Sequence, residues 1–283
     1  MANKRLTGVL NWHRARATIH SMGVLEAIIA DIRQHRPDHI ALTGDLVNVG
    51  YPPEFPVAAR MVDKLGSSTD VSVIPGNHDA YVRGSLPAMD AVFAPFMCSD
   101  GDGNPGNSVL AERFPYLRVR QNVAFIGINT GVPTAPFFAT GTMGAEQGRK
   151  LEKLLEETRN AGLFRVVMLH HPPVTRGVKF GRGLTDARRF ELVLRRHGAE
   201  LVLHGHNHRF SLQQMAGPAA QIPVVGVGSA SAVPGTAQHL AEYNLIRINP
   251  GSEQPVQIER RGITFENRMV SRVGLVTLHR TGN

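Results

Sequence analysis

Short apolar runs that break at Gly or Pro and then deliver Asp, Asn or His recur along this chain. The clearest is Val73-Ile74-Pro75-Gly76-Asn77-His78-Asp79, where a buried-strand pattern ends on a tight turn carrying an amide, an imidazole and a carboxylate. In open α/β sheets, ligands bind at the carboxyl ends of strands. Three other runs are built the same way: Thr43-Gly44-Asp45-Leu46, Met168-Leu169-His170-His171-Pro172 and Leu203-His204-Gly205-His206-Asn207-His208. Four strand ends, each delivering Asp, Asn or His, point to a metal site.

Between these runs the periodicity changes. Met22, Leu25, Ile28, Ile29 and Ile32 have helical spacing, which predicts a helix over 19–35 stopped by Pro37. Further helices are predicted over 53–65, 86–97, 146–161 and 185–197, and strands over 39–43, 71–74, 116–120, 123–129, 164–169 and 201–203. The βαβ order implies parallel neighbours with right-handed crossovers. Beyond residue 210 short strands dominate, over 222–227, 243–248, 256–260 and 273–279. The expected class is α/β, a two-sheet β sandwich flanked by helices.

The 283 residues suit one globular domain over 1–283, with no repeat and no Pro/Gly/Ser-rich linker. A single cysteine, Cys98, rules out an internal disulfide and is expected to be a small core or loop residue. No apolar run is long enough to span a bilayer and no signal peptide is evident, so a cytoplasmic location is expected. The formal charge of +8 favours anionic partners. Phosphate-bearing small molecules are favoured over nucleic acid, because aromatic residues make up only 6% of the chain and no long Lys/Arg tract occurs. Lys4, Arg5, His13, Arg14 and Arg16 around Trp12 read as a solvated basic face. Asp100 and Asp102 sit in a Gly-rich stretch without the Glu of a calcium loop and read as a solvent loop. Arg176, Lys179 and Arg182 follow the His170 block closely enough to reach an anionic substrate, or to form a generic exposed basic loop.

Gly44-Asp45, Gly76-Asn77-His78-Asp79, the His170-His171 pair and Gly205-His206-Asn207-His208 follow one another as four ordered blocks. On these, residues 40–210 resemble the calcineurin-like binuclear metallophosphoesterases, with bacterial phosphodiesterases the most similar type. The resemblance implies the family's four-layer fold and a hydrolase that cleaves a phosphodiester or phosphomonoester by attack of metal-bound hydroxide. Cyclic nucleotides or glycerophosphodiesters are the substrates it suggests. It also implies two divalent ions, manganese, iron, zinc or cobalt. A nuclease of the same superfamily and a catalytically impaired one-metal binding protein are the alternatives.

The residues suit that chemistry. Two ions about 3.5–4 Å apart need a bridging carboxylate, and Asp45 follows a strand and a Gly that permits close backbone approach. Asn77 supplies a neutral oxygen, and His170, His206 and His208 supply imidazoles that favour transition metals over magnesium or calcium. His206 and His208 are expected to face the same side on an extended backbone. The family pattern puts His170 rather than His171 on the metal and gives His78 the role of transition-state stabiliser or proton donor to the leaving oxygen. His171 and His204 are expected to pack or to support the ligands. Asp79 either orients the His78 ring or caps a turn.

The family's first block, Asp-x-His at the end of the first strand, does not occur before Asp45. By subtraction one metal place keeps Asp45, Asn77, His170 and His206, and the other keeps Asp45 and His208. One metal at most is therefore expected in the chain as written, with the first strand missing and a neighbouring sheet edge uncovered. Either translation starts upstream of Met1 or this is a naturally incomplete relative.

Overall fold

The computed structural model describes residues 4, 20–102, 109–174, 176, 179–233, 241–264 and 269–279. In chain order the elements are α1 (Met22–His35), β1 (Ile40–Leu42), α2 (Glu54–Asp63), β2 (Val71–Val73), α3 (Ser85–Phe93), a 3-10 turn (Ala94–Phe96), α4 (Leu110–Arg113), β3 (Tyr116–Arg120) and β4 (Val123–Gly127). There follow α5 (Ala145–Asn160), β5 (Phe164–Leu169), α6 (Ala187–His197), β6 (Leu201–His204), β7 (Ser211–Ala216), β8 (Gln221–Gly226), β9 (Ala241–Ile248), β10 (Val256–Ile263) and β11 (Ser271–Leu278).

Strand β5 is buried along its whole length, as a strand covered on both faces must be. It lies inside a six-stranded mixed sheet ordered β3-β4-β5-β6-β8-β7, parallel in the middle and antiparallel at both margins. Because side chains alternate along a strand, its two faces feed two cores. Val166, Met168 and Leu201 pack with Val71, Val73, Val256 and Ile258 from the β1-β2 pair and the β9-β10-β11 sheet. Val167, Leu169 and Val202 pack with Leu151, Leu155, Phe190 and Leu194 from α5 and α6. The expected helix-flanked two-sheet arrangement is thus present. Tyr116 ties its two β layers together, its hydroxyl donating to the Val73 carbonyl at 2.9 Å.

A sizeable cavity lies between the two halves of the second β layer. Among the described residues β1 pairs in a ladder only with β2, and β9 only with β10. A cavity of about 780 Å³, lined by Ile28, Leu42, Val166, Leu203 and Ile246, runs between them and reaches Asp45 and His208. None of the described helices is long and apolar enough to cross a membrane.

Several local expectations change. Helix α1 starts at Met22, with Ser21 as its N-cap, so residues 19–21 stay outside it. Lys4 is not on a solvated face: it is buried, and its Nζ donates to the Thr134 carbonyl at 2.9 Å and the Thr134 hydroxyl at 2.7 Å. Arg5, Trp12, His13, Arg14 and Arg16 lie outside the described residues. Asp100 does more than face solvent, since it accepts the Val119 N–H at 2.7 Å and pairs with Arg120 at 2.9 Å. Cys98 is free and buried.

Candidate metal centre

The turns after β1 and β2 meet at two glycines. Gly44 and Asp45 both adopt left-handed backbone, with φ of 90° and 61°. A Cβ on Gly44 would lie 2.6 Å from the Gly76 nitrogen and 2.8 Å from His170 Nδ1, and one on Gly76 would lie 2.2 Å from Asp45 Oδ1. Only glycine allows these turns and the His170 ring to sit so close. Gly44→Ala is expected to lower stability by about 2–5 kcal/mol, the sum of a left-handed alanine and an overpacked contact. A thermal melt equal to the parent's would refute this account of the turn.

Asp79 clamps the same two turns. Its carboxylate accepts N–H groups from Asp45 at 2.8 Å, Leu46 at 2.9 Å, Val47 at 3.2 Å and Gly76 at 2.8 Å. Of the two roles open to Asp79, turn capping is the one that these bonds make. The His78 ring is instead held by the Asn48 carbonyl, which takes its Nδ1–H, and it stacks on Tyr81 with ring centroids 5.8 Å apart.

Four donor atoms converge beside this clamp. Asn77 Oδ1 lies 2.8 Å from His206 Nδ1 and 3.2 Å from His170 Nε2. The two imidazole nitrogens are 3.2 Å apart, and Asp45 Oδ2 is 3.3 Å from His170 Nε2. Such spacings are those of ligands that share one ion at about 2.0–2.2 Å. The other ring nitrogen of His170 fixes its tautomer: Nδ1 lies 2.6 Å from the Thr43 carbonyl and donates to it, leaving the Nε2 lone pair facing the cluster. The second oxygen of Asp45, Oδ1, accepts the His78 backbone N–H at 2.8 Å.

The electrostatics agree with that chemistry. Burial, then the charge of His170, pushes the His206 pKa down to about 3. Burial is also the largest cause pushing His208 down to about 4 and holding His171 well below the ordinary imidazole range. All three are neutral at physiological pH with lone pairs available, as metal ligation requires. Burial opposes charge on Asp45, yet the His170 and His78 imidazoles hold its carboxyl well below the usual range. Burial also works against charge on His170, whose pKa the Asp45 carboxylate nevertheless raises. The donor set fits a divalent transition-metal ion. Asp45, Asn77, His170 and His206 are the residues that would hold it.

His206 and His208 do not reach their places on extended backbone as the alternation expects. Both are left-handed, with φ of 66° and 51°, so a tight turn rather than a strand aims them. His208 stands toward the cavity, its ring centroid 6.3 Å from that of His20. His171 is drawn in more closely than its expected packing role. It is fully buried, its Nδ1 lies 2.8 Å from the Thr130 hydroxyl, and its Nε2 has no hydrogen-bond partner among the described residues. One ring nitrogen from each of His170, His171 and His206 falls within 4.8 Å of the others. The adjacent His170-His171 pair was the only sequence signal for this, and it does not say which ring turns inward. His204 hydrogen-bonds the Gly205 carbonyl at 2.9 Å and stays out of the cluster.

Known proteins align with these features. The family model for calcineurin-like phosphoesterases matches residues 12–210. A probable cyclic nucleotide phosphodiesterase of Synechococcus sp. is 30% identical over 190 residues, covering 66% of this chain and 64% of that protein. A second, from Rhodococcus erythropolis, is 29% identical over 202 residues, covering 69% of this chain and 58% of its own. The chain thus matches less than two thirds of either relative's length. Among solved structures, a dimetal phosphatase from Danio rerio superposes with a TM-score of 0.62 at 13% identity, covering 93% of this chain and 91% of that one. A purple acid phosphatase from yellow lupin seeds gives 0.59 at 13% identity, covering 92% and 50%; at such identity these two speak for the fold. With a family model spanning all four of the polar turns and the fold to match, the chain belongs to the calcineurin-like phosphoesterase family.

Proposed function

We propose that this protein is a metal-dependent phosphoesterase that hydrolyses phosphodiesters, with cyclic nucleotides the favoured substrate class. The observation that carries this reading is the convergence of donor atoms on His170 Nε2, which lies 3.2 Å from Asn77 Oδ1, 3.2 Å from His206 Nδ1 and 3.3 Å from Asp45 Oδ2, with Asn77 Oδ1 2.8 Å from His206 Nδ1. The names of the two curated relatives support the cyclic-nucleotide choice. A divalent ion bound there would acidify a water and draw charge from the phosphoryl oxygens. The protein's own residues do the rest. Asp79 fixes the two turns, Thr43 fixes the His170 tautomer, and the Asn48 carbonyl takes the His78 Nδ1–H, so that a proton passed on by this ring would leave from Nε2. Protonated at Nε2, His78 would hand that proton to the departing oxygen. The apolar cavity between β1 and β9 opens on Asp45 and His208.

The reading is tested by reconstituting the protein with manganese, iron, zinc or cobalt and assaying a nitrophenyl phosphodiester and a cyclic nucleotide. Tight metal binding with no turnover on any diester would favour a non-catalytic one-metal binding protein instead. His78→Ala should keep the bound metal and lose about 10²–10⁴-fold in turnover on alkyl diesters. The loss should be smaller with a nitrophenolate leaving group, which needs no proton. Equal losses for both would remove the proton-donor role and leave transition-state stabilisation.

A further inference from the structure

Two loops leave the candidate centre and meet at an aromatic tip. One follows Thr130, the other follows His171, and the Thr130 hydroxyl and His171 Nδ1 are 2.8 Å apart. Farther out, Ala139 N–H donates to the Gly181 carbonyl at 2.8 Å and Gly141 N–H to the Gly183 carbonyl at 3.2 Å, so the loops travel together. At their ends Phe137 is 91% exposed and Phe180 is 95% exposed. Phe138 braces the tip, with its ring centroid 6.0 Å from that of Phe180. Among the described residues these two almost fully exposed phenylalanines on neighbouring loops add little to the packing, and they mark a surface that meets something apolar.

The charge around the tip narrows the partner. Residues 131–141 carry no charged side chain. Residues 176–183 carry Arg176, Lys179 and Arg182 and no acid, and all three basic side chains are exposed. Aromatic rings that project singly, with cations beside them and no acid among them, match the boundary of an anionic bilayer. There the rings enter the headgroup–acyl region while each cation gains from the surface potential. We propose that the Phe137–Phe180 tip docks this protein onto an anionic lipid surface, with the candidate centre held beside that surface.

Cosedimentation of the full chain with two vesicle types tests this, one of phosphatidylcholine alone and one of equal parts phosphatidylcholine and phosphatidylglycerol. The protein should partition onto the anionic vesicles and be released by salt. Lys179→Glu, which reverses a charge, should weaken partitioning by about tenfold or more, since each basic residue near the surface is worth about fivefold. The double variant F137S/F180S should weaken it at least about tenfold. Both variants should keep the parent's melting temperature and its bound metal, and F137S/F180S should also keep its turnover on a soluble diester, because the two rings are almost wholly exposed. Equal binding to neutral and anionic vesicles, or unchanged binding of both variants, overturns the proposal. So does the absence of vesicle binding together with a concentration-dependent dimer that F137S/F180S abolishes, which would assign the tip to a second copy of this chain.

Discussion

Asn77→Ala is expected to cut metal affinity by well over ~100-fold and to take diester hydrolysis down with it. The loss of a residue that merely supports a ligand costs about 10–100-fold in metal affinity or activity, and Asn77 Oδ1 itself lies among the donors, 2.8 Å from His206 Nδ1 and 3.2 Å from His170 Nε2. Asp45→Asn is the sharper companion. Asparagine tolerates the left-handed backbone at this position, where φ is 61°, so the turn persists while the charge is lost. Cobalt titration followed by absorbance reads the site without needing turnover. The described residues offer one complete donor cluster, so one tight equivalent is expected in the parent and none in either variant. Retained tight binding with unchanged hydrolysis in Asn77→Ala would defeat the ligand assignment. A second tight equivalent in the parent would direct attention to His208 and to His20, which stands next to it.

The order of the polar turns could be read from the chain because each follows an apolar run, with a Gly between run and ligand at Asp45, Asn77 and His206 and a Pro just after the pair at His170-His171. Strand β5 is the clearest case, since its apolar run Val166–Leu169 feeds His170 directly. Strand β7 was not legible: it is a margin of the sheet, and Ser211, Gln213 and Gln214 dilute its apolar signal. How side chains are aimed was also hidden. Alternation along an extended chain predicts a shared side for His206 and His208, but a turn with two left-handed residues aims them. Such a conformation costs an ordinary residue free energy and persists only when its surroundings over-determine it. Nothing local in Gly-His-Asn-His announces that. Lys4 and His171 illustrate the same limit, since the carbonyl and hydroxyl of Thr134 and the hydroxyl of Thr130 that receive them lie far away in sequence.

Asp79→Ala should be the most damaging single substitution outside the ligands themselves, through stability first and metal affinity second. The Asp79 side chain is completely buried and gathers four backbone N–H groups from the turns after β1 and β2. Burial and the nearby Asp45 charge push its pKa up to about 6, while those N–H bonds pull the other way. Truncation would orphan donors that each cost about 1–3 kcal/mol when buried without a partner. Water can enter beside the turn and recover part of this, so a net loss of about 3–5 kcal/mol is expected. Asp79→Asn keeps the shape and one acceptor oxygen but turns an amide NH2 toward the backbone donors. It should fall between parent and alanine. Metal affinity should drop by about 10–100-fold in both, as for other residues that orient a ligand, because Asp45 is held at its backbone nitrogen by this carboxylate. Urea unfolding of the metal-free proteins measures the first effect, and cobalt titration of whichever variant remains folded measures the second. If Asp79→Ala unfolds at the parent's midpoint and binds cobalt as tightly, then the two turns are positioned by their glycines alone. Gly44→Ala would in that case become the variant that separates backbone geometry from the carboxylate clamp.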